Sequence, residues 1–189
     1  SRFEVRERLN TVLKVIYLMF AVGYAPRRGE ALILHDVARE ALRIAEVVAA
    51  AAETKTPAAS ALAALLNLQA SRLDARMGTD GMLVLLQDQN RSRWDRTLID
   101  RGMLHLKAAG VGEHISRYHI EAGIAAAHAS APHFCATDWQ GMCVLYAALE
   151  AMTHSPIVSA SACVAEAFAG APEKAFLKLE ALAQDEQLA

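Results

Sequence analysis

Apolar residues return along most of this chain at helical spacing, and the stretches between them are short. Leu9, Val12, Leu13, Ile16 and Phe20 share one face of a helix over about 5–20, which Gly23 and Pro26 end, with a turn at Arg27-Arg28-Gly29. Leu34, Val37, Ala41, Ile44 and Val48 line a second helix over about 30–52. Pro57 suits the first turn of a third, which carries Leu62, Leu65, Leu66, Leu68 and Leu73 to about Met77. Leu98, Ile99, Met103 and Leu106 mark a fourth, starting near Trp94 or Asp95 and stopped by Gly110 and Gly112. A fifth, crowded with alanine, covers about 116–130. Thr137, with Gln140 three residues on, makes a capping-box start for a sixth that holds Trp139, Met142, Leu145, Tyr146 and Leu149. Ser155-Pro156 and Pro172 open two more, Gly170 separates them, and the tail 184–189 is predicted to fray.

One stretch breaks this rhythm. Asp80 to Asp95 reads D-G-M-L-V-L-L-Q-D-Q-N-R-S-R-W-D. Asp80-Gly81 is a turn signal, Met82 to Leu86 are apolar, and the rest is polar up to Trp94. No second strand is available to pair with the apolar run, so a buried irregular linker is predicted there. The polar part reads as a solvated connector or as a hydrogen-bonded clasp. The predicted fold is all-α, a helical array with antiparallel helix hairpins. Residues 1–79 form an N-terminal helical subdomain, 80–95 the connector or clasp, and 96–189 hairpins that are tetratricopeptide-like in the C-terminal half. Their period of roughly 35 residues is the basis for that reading. Gly123, Ala126, Ala127, Ala162, Ala165 and Ala175 would let those helices cross closely.

Composition narrows the function. With 189 residues, folding buries roughly 70% of the unfolded chain's surface, so no disulfide or metal is needed to hold the fold. A net charge of −2 is not that of a free-standing nucleic-acid binder, which shows a basic face. Cys135, Cys143 and Cys163 are odd in number and irregular in spacing, which implies no disulfide framework and fits a reducing cytoplasm. The apolar run from Val12 to Gly23 contains Lys14 and is too short to span a bilayer. Arg2, Arg6 and Arg8 precede it as in a signal peptide, but Glu4 and Glu7 interleave and no clean cleavage site follows. A soluble cytoplasmic chain without membrane contact is expected. The helical pattern is already running at its first residues, as in a fragment of a longer protein.

Candidate chemistry is sparse. His128, His133 and Cys135 lie close in sequence, yet they match no finger or zincin spacing, and a closed zinc site needs four ligands. His119 has no second histidine four residues on. Asp88, Asp95 and Asp138 could supply paired carboxylates, but nothing in the sequence brings two together. No dinucleotide fingerprint, Walker loop or nucleophile elbow is present. Cys143 and Cys163 lie on apolar helix faces as packing groups. No catalytic residue, cofactor or metal ligand is expected. Two constellations remain. Asp88, Gln89, Arg91, Arg93, Trp94 and Asp95 are expected to form a clasp, with the two aspartates paired to the two arginines and Trp94 anchored in the core. Tyr118, Glu121, His128, Asp138 and Trp139 could line a groove. There Asp138 also suits a helix N-terminus, and Trp139 a core poor in aromatics.

The segment L-L-Q-D-Q-N-R-S-R-W-D resembles a signature of a group of extracytoplasmic-function RNA polymerase sigma factors that carry a long helical extension after their promoter-binding regions. Further blocks agree in order: E-R-L-N-T-V-L-K-V-I-Y-L-M-F-A-V-G-Y (Glu7 to Tyr24), R-E-A-L-R-I-A (Arg39 to Ala45), Y-H-I-E-A-G-I-A-A-A-H-A (Tyr118 to Ala129), T-D-W (Thr137 to Trp139), L-Y (Leu145, Tyr146) and S-P-I-V (Ser155 to Val158). The resemblance covers the extension only. It implies a tetratricopeptide-like accessory domain, without catalysis, that modulates transcription initiation through protein contacts. The implied partners are the upstream sigma regions, RNA polymerase or a protein regulator, with no direct nucleic-acid contact from this chain. Ala21-Val22 and Ser161-Ala162 replace the family's usual Asn-Glu and Asn-Arg, Asn90 stands for an acid and Glu121 for a glutamine. Those polar positions are lost or altered here. The other expectation is a stand-alone helical protein that holds a small molecule or metal between its halves. Exposed apolar helix edges could equally pair with a second copy.

Overall fold

A computed structural model of the chain describes residues 2–24, 31–78, 82–112 and 114–184, and for 2–7 and 31–34 the backbone course alone. The turn at 27–29, the Asp80-Gly81 turn and the tail beyond Gln184 lie outside the described residues. Among the described residues the chain is all-α, with eight helices and a single isolated β-bridge. The helices are α1 (Arg2–Tyr24), α2 (Ala31–Ala50), α3 (Pro57–Ala70), α4 (Arg96–Ala109), α5 (Arg117–Ser130), α6 (Trp139–Thr153), α7 (Pro156–Phe168) and α8 (Pro172–Ala183).

Their starts follow local chemistry. Thr56 precedes Pro57, and its hydroxyl accepts from the Ala59 N–H at 3.2 Å. Asp95 caps α4 by accepting from Leu98 N–H at 3.1 Å. In α6 the cap is Asp138, accepting from Gly141 N–H at 2.9 Å, and not Thr137. The Thr137 hydroxyl is turned towards His128 instead, 3.5 Å from its Nδ1. Gln140, the expected partner in a capping box, donates to the Ala169 carbonyl at 2.8 Å. A Cβ at position 141 would stand 2.4 Å from Asp138 Oδ2, so glycine there leaves room for the cap. The third helix is shorter than its pattern predicts. It ends at Ala70, and Leu73–Ala75 forms a separate 3₁₀ turn.

The chain divides into two compact units, Ser1–Ala126 and Ala127–Ala189. In the first, α1 packs on α2, α2 on α3, and α3 on α4. Helix α3 is buried almost all round, from Ala59 to Leu68, which identifies it as the central element. Ser60 and Asn67 are its buried polar residues, and the Asn67 amide donates to Glu46 at 3.2 Å and to the Ala63 carbonyl at 2.9 Å. Glu46 also pairs with Arg101 at 3.0 Å, tying α2 to α3 and α4. Gly102 lets α4 approach α3, because a Cβ there would come within 2.7 Å of Leu68 Cγ. The boundary expected over 80–95 therefore lies elsewhere. The described residues of that segment lead from α3 to α4, which packs back on α3, and they sit inside the first unit. In the second unit α6, α7 and α8 pack in sequence around Trp139, Met142, Leu149, Cys163, Ala165 and Ala175. The two- and three-residue connections at 154–155 and 169–171 make them antiparallel neighbours.

Candidate interaction surface

The segment from Met82 to Asp95 is built on a short extended pairing. The Val84 N–H donates to the Arg76 carbonyl at 2.8 Å and the Gly78 N–H to the Met82 carbonyl at 2.9 Å. Met77 and Leu83 face each other between them as an antiparallel bridge. The apolar run thus finds a partner that the periodicity did not offer, and it is not a buried linker. Met82, Leu83 and Leu85 are 54%, 54% and 65% exposed. Among the described residues no second layer covers the outer face of this short extended pair.

The polar half is fixed from below. Trp94 is 4% exposed, and the Arg91 guanidinium lies over its ring at 4.7 Å. Burial holds the Arg91 pKa below its ordinary value, and the nearby charges of Arg72 and Arg96 push the same way. Gln89 is buried as well, its amide donating to the Val84 carbonyl at 3.1 Å. Asn90 accepts from the Ser92 N–H and hydroxyl at 3.0 and 2.7 Å. Among the described residues the segment is held largely through main-chain groups rather than the expected pairs of Asp88 and Asp95 with Arg91 and Arg93. Asp95 N–H donates to the Ser71 carbonyl at 2.7 Å while its carboxylate caps α4. Arg93 donates to the Asp74 carbonyl. An aspartate at a helix start satisfies free N–H groups, and this use takes the Asp95 side chain before an arginine does. Asp88 is exposed on the outer side of the same segment.

The five residues expected to line one groove fall in two clusters, one in each unit. In the first, Arg117 donates to Glu121 at 2.9 and 2.7 Å and to the Tyr17 hydroxyl at 3.1 Å, with its guanidinium 4.8 Å over the Tyr17 ring. Tyr118 meets Tyr17 at 5.7 Å between ring centroids. Burial raises the Tyr17 pKa, and the Glu121 carboxylate adds to the rise. Burial raises Tyr118 too, against the pull of Arg117. Burial opposes the charge on Arg117, but Glu121 and the two tyrosines outweigh it and hold its pKa up. In the second unit, Trp139 stacks on Phe168 at 4.8 Å and meets Phe134 edge-on at 4.9 Å. His128 meets the Trp139 edge at 5.5 Å. Trp139 is buried, Asp138 is occupied as a cap and Phe168 is half exposed, so the rings pack on one another with Phe168 at the surface. Sequence reasoning passed over Tyr17 and Arg117, which complete the first cluster. Tyr17 stands off the apolar face of α1, the one signal that pointed to it.

These contacts define an all-helical protein whose irregular segment is anchored by buried polar and aromatic side chains and presents apolar ones. The chain belongs to a family of unknown function, DUF6596, whose profile matches residues 8–110. It is 36% identical over 178 residues to the uncharacterized protein R00370 of Rhizobium meliloti (strain 1021), a match over 94% of this chain and 42% of that protein. The chain therefore spans less than half the length of this curated relative. No solved structure matches the chain. No helix among the described residues is long and apolar enough to cross a membrane.

Proposed function

We propose that the chain is a non-catalytic interaction module, the helical extension of an extracytoplasmic-function sigma factor, and that it modulates transcription initiation through protein contacts. The observation that carries this reading is the exposed trio Met82, Leu83 and Leu85 on a segment whose polar half is anchored at Trp94 and Gln89. Contiguous exposed apolar side chains on a fixed support are suited to a protein partner. The neighbouring sequence, Leu85 to Asp95, is the block that resembles the sigma-factor signature. A relative more than twice the chain's length is compatible with a module in a larger protein. The partner on this reading is an upstream sigma region, the polymerase or a protein regulator, in a cytoplasmic setting.

The test is the double variant Leu83→Ser with Leu85→Ser, introduced into the full-length protein in its native host. Both side chains are exposed, so stability should stay within about 0.5 kcal/mol. Transcripts that depend on the full-length protein should fall. An unchanged transcript profile, with the variant present at normal abundance, would overturn the proposal.

A further inference from the structure

We propose that α1 pairs with the same helix of a second copy of this chain, antiparallel and about a two-fold axis beside Leu18. Helix α1 carries two apolar rows. Leu9, Leu13, Ile16 and Phe20 are buried in the first unit. Val12, Val15, Leu18 and Val22 are 42%, 50%, 51% and 60% exposed, and Met19 beside them is half-buried. At about 100° per residue, the second row stands roughly a third of a turn from the first. Tyr17, which meets Arg117 and Tyr118 of α5, marks the third side of the helix. Among the described residues no element closes over the second row.

The spacing of the row selects its partner. Val12, Val15, Met19 and Val22 follow one another at three, four and three residues, the seam of a helix that packs along another. This spacing reads the same in both directions. An antiparallel copy therefore sets Val12 against Val22 of the second copy and Val15 against its Met19, each twice over, with the two Leu18 side chains meeting near the axis. An isologous contact requires a surface that complements itself, and this row does so without a shift of register. From Val12 to Val22 the row holds no charge. Arg8 extends it towards the N-terminus and is exposed. A parallel pair would set Arg8 on Arg8 of the second copy, whereas the antiparallel pair carries it past Val22 and away from its counterpart. Four half-exposed side chains of this size present about 300–400 Å², the size of a functional patch. That is less than the roughly 800 Å² per partner of a standard interface, so the dimer is a weak one that forms as concentration rises.

The experiment is sedimentation equilibrium on the full-length protein and on the 189-residue chain over a range of concentrations. Both should pass from monomer to dimer as concentration rises. Leu18→Glu, at a half-exposed helical site, should leave the helicity unchanged by circular dichroism. It should keep both proteins monomeric throughout, because it sets two carboxylates together at the axis. The direction of pairing is read by cross-linking in a Cys135→Ser background, since that thiol is exposed. Leu18→Cys should cross-link to itself on mild oxidation, and Val12→Cys only when mixed with Val22→Cys. A full-length protein that stays monomeric would overturn the proposal, and dimerisation of the 189-residue chain alone would then assign the row to another segment of that protein. A dimer that survives Leu18→Glu, or cross-linking of Val12→Cys with itself, would overturn it as well.

Discussion

Trp94 is the residue on which the irregular segment depends. Its indole is buried, and Arg91 covers one face. The indole N–H has no acceptor among the described residues, so packing rather than hydrogen bonding holds it. Trp94→Ala should therefore cost about 3–5 kcal/mol, the usual range for emptying a buried aromatic site. Urea denaturation checks it, and a change under 1 kcal/mol would place the ring outside the core. The presence of a buried tryptophan here was legible in the sequence, because an aromatic in a polar run must pack somewhere. The partners of Arg93 and Asp95 were not legible. Charge pattern alone pairs aspartate with arginine. Geometry gave Arg93 the Asp74 carbonyl and Asp95 the free N–H of Leu98, because both lay nearer.

At the scale of elements, the contact between α3 and α4 organises the first unit. It depends on a small residue at the crossing. Gly102→Ala would bring its Cβ to 2.7 Å from Leu68 Cγ and 3.3 Å from the Ala64 carbonyl. Such overpacking should destabilise by about 1–3 kcal/mol, even though alanine is the better helix former. A more stable variant in thermal or urea unfolding would show that the helices separate freely. The helix starts were legible wherever one residue decided them, as at Thr56-Pro57 and Ser155-Pro156. Where two residues competed, as Thr137 and Asp138 did before α6, the outcome rested on a tertiary neighbour. His128 stands beside the Thr137 hydroxyl, and the cap passed to Asp138.

At the scale of the whole molecule, His105 on the acid side and Tyr17 on the alkaline side each contribute to the pH dependence of stability. Burial lowers the His105 pKa, Glu46 opposes the shift and Arg101 adds to it. A lowered folded-state value means that the unfolded chain takes up the proton first. The His105 contribution is then complete above about pH 6.5 and is lost as pH falls through the folded value. Tyr17 behaves in the opposite sense. Its pKa is raised, so its contribution is complete below about pH 10 and is lost as pH rises through the folded value. The urea midpoint should therefore be highest between these limits. His105→Gln should flatten the acid limb and Tyr17→Phe the alkaline limb. Limbs that keep their slopes in both variants would assign them to other groups.

What the sequence determined by itself is the helical content and most of the helix starts, because periodicity and caps are local and need only a few neighbouring residues. It also marked 80–95 as the exceptional stretch. Tertiary structure alone decided that α4 packs on α3, that the described part of this stretch lies within the first unit, and that Tyr118 and Glu121 cluster with Tyr17 and Arg117. It likewise turned Met82, Leu83 and Leu85 outward. An apolar residue is drawn to a core only where one is within reach. The short pairing with Arg76–Gly78 held these three on the surface, and no periodicity in the chain records that.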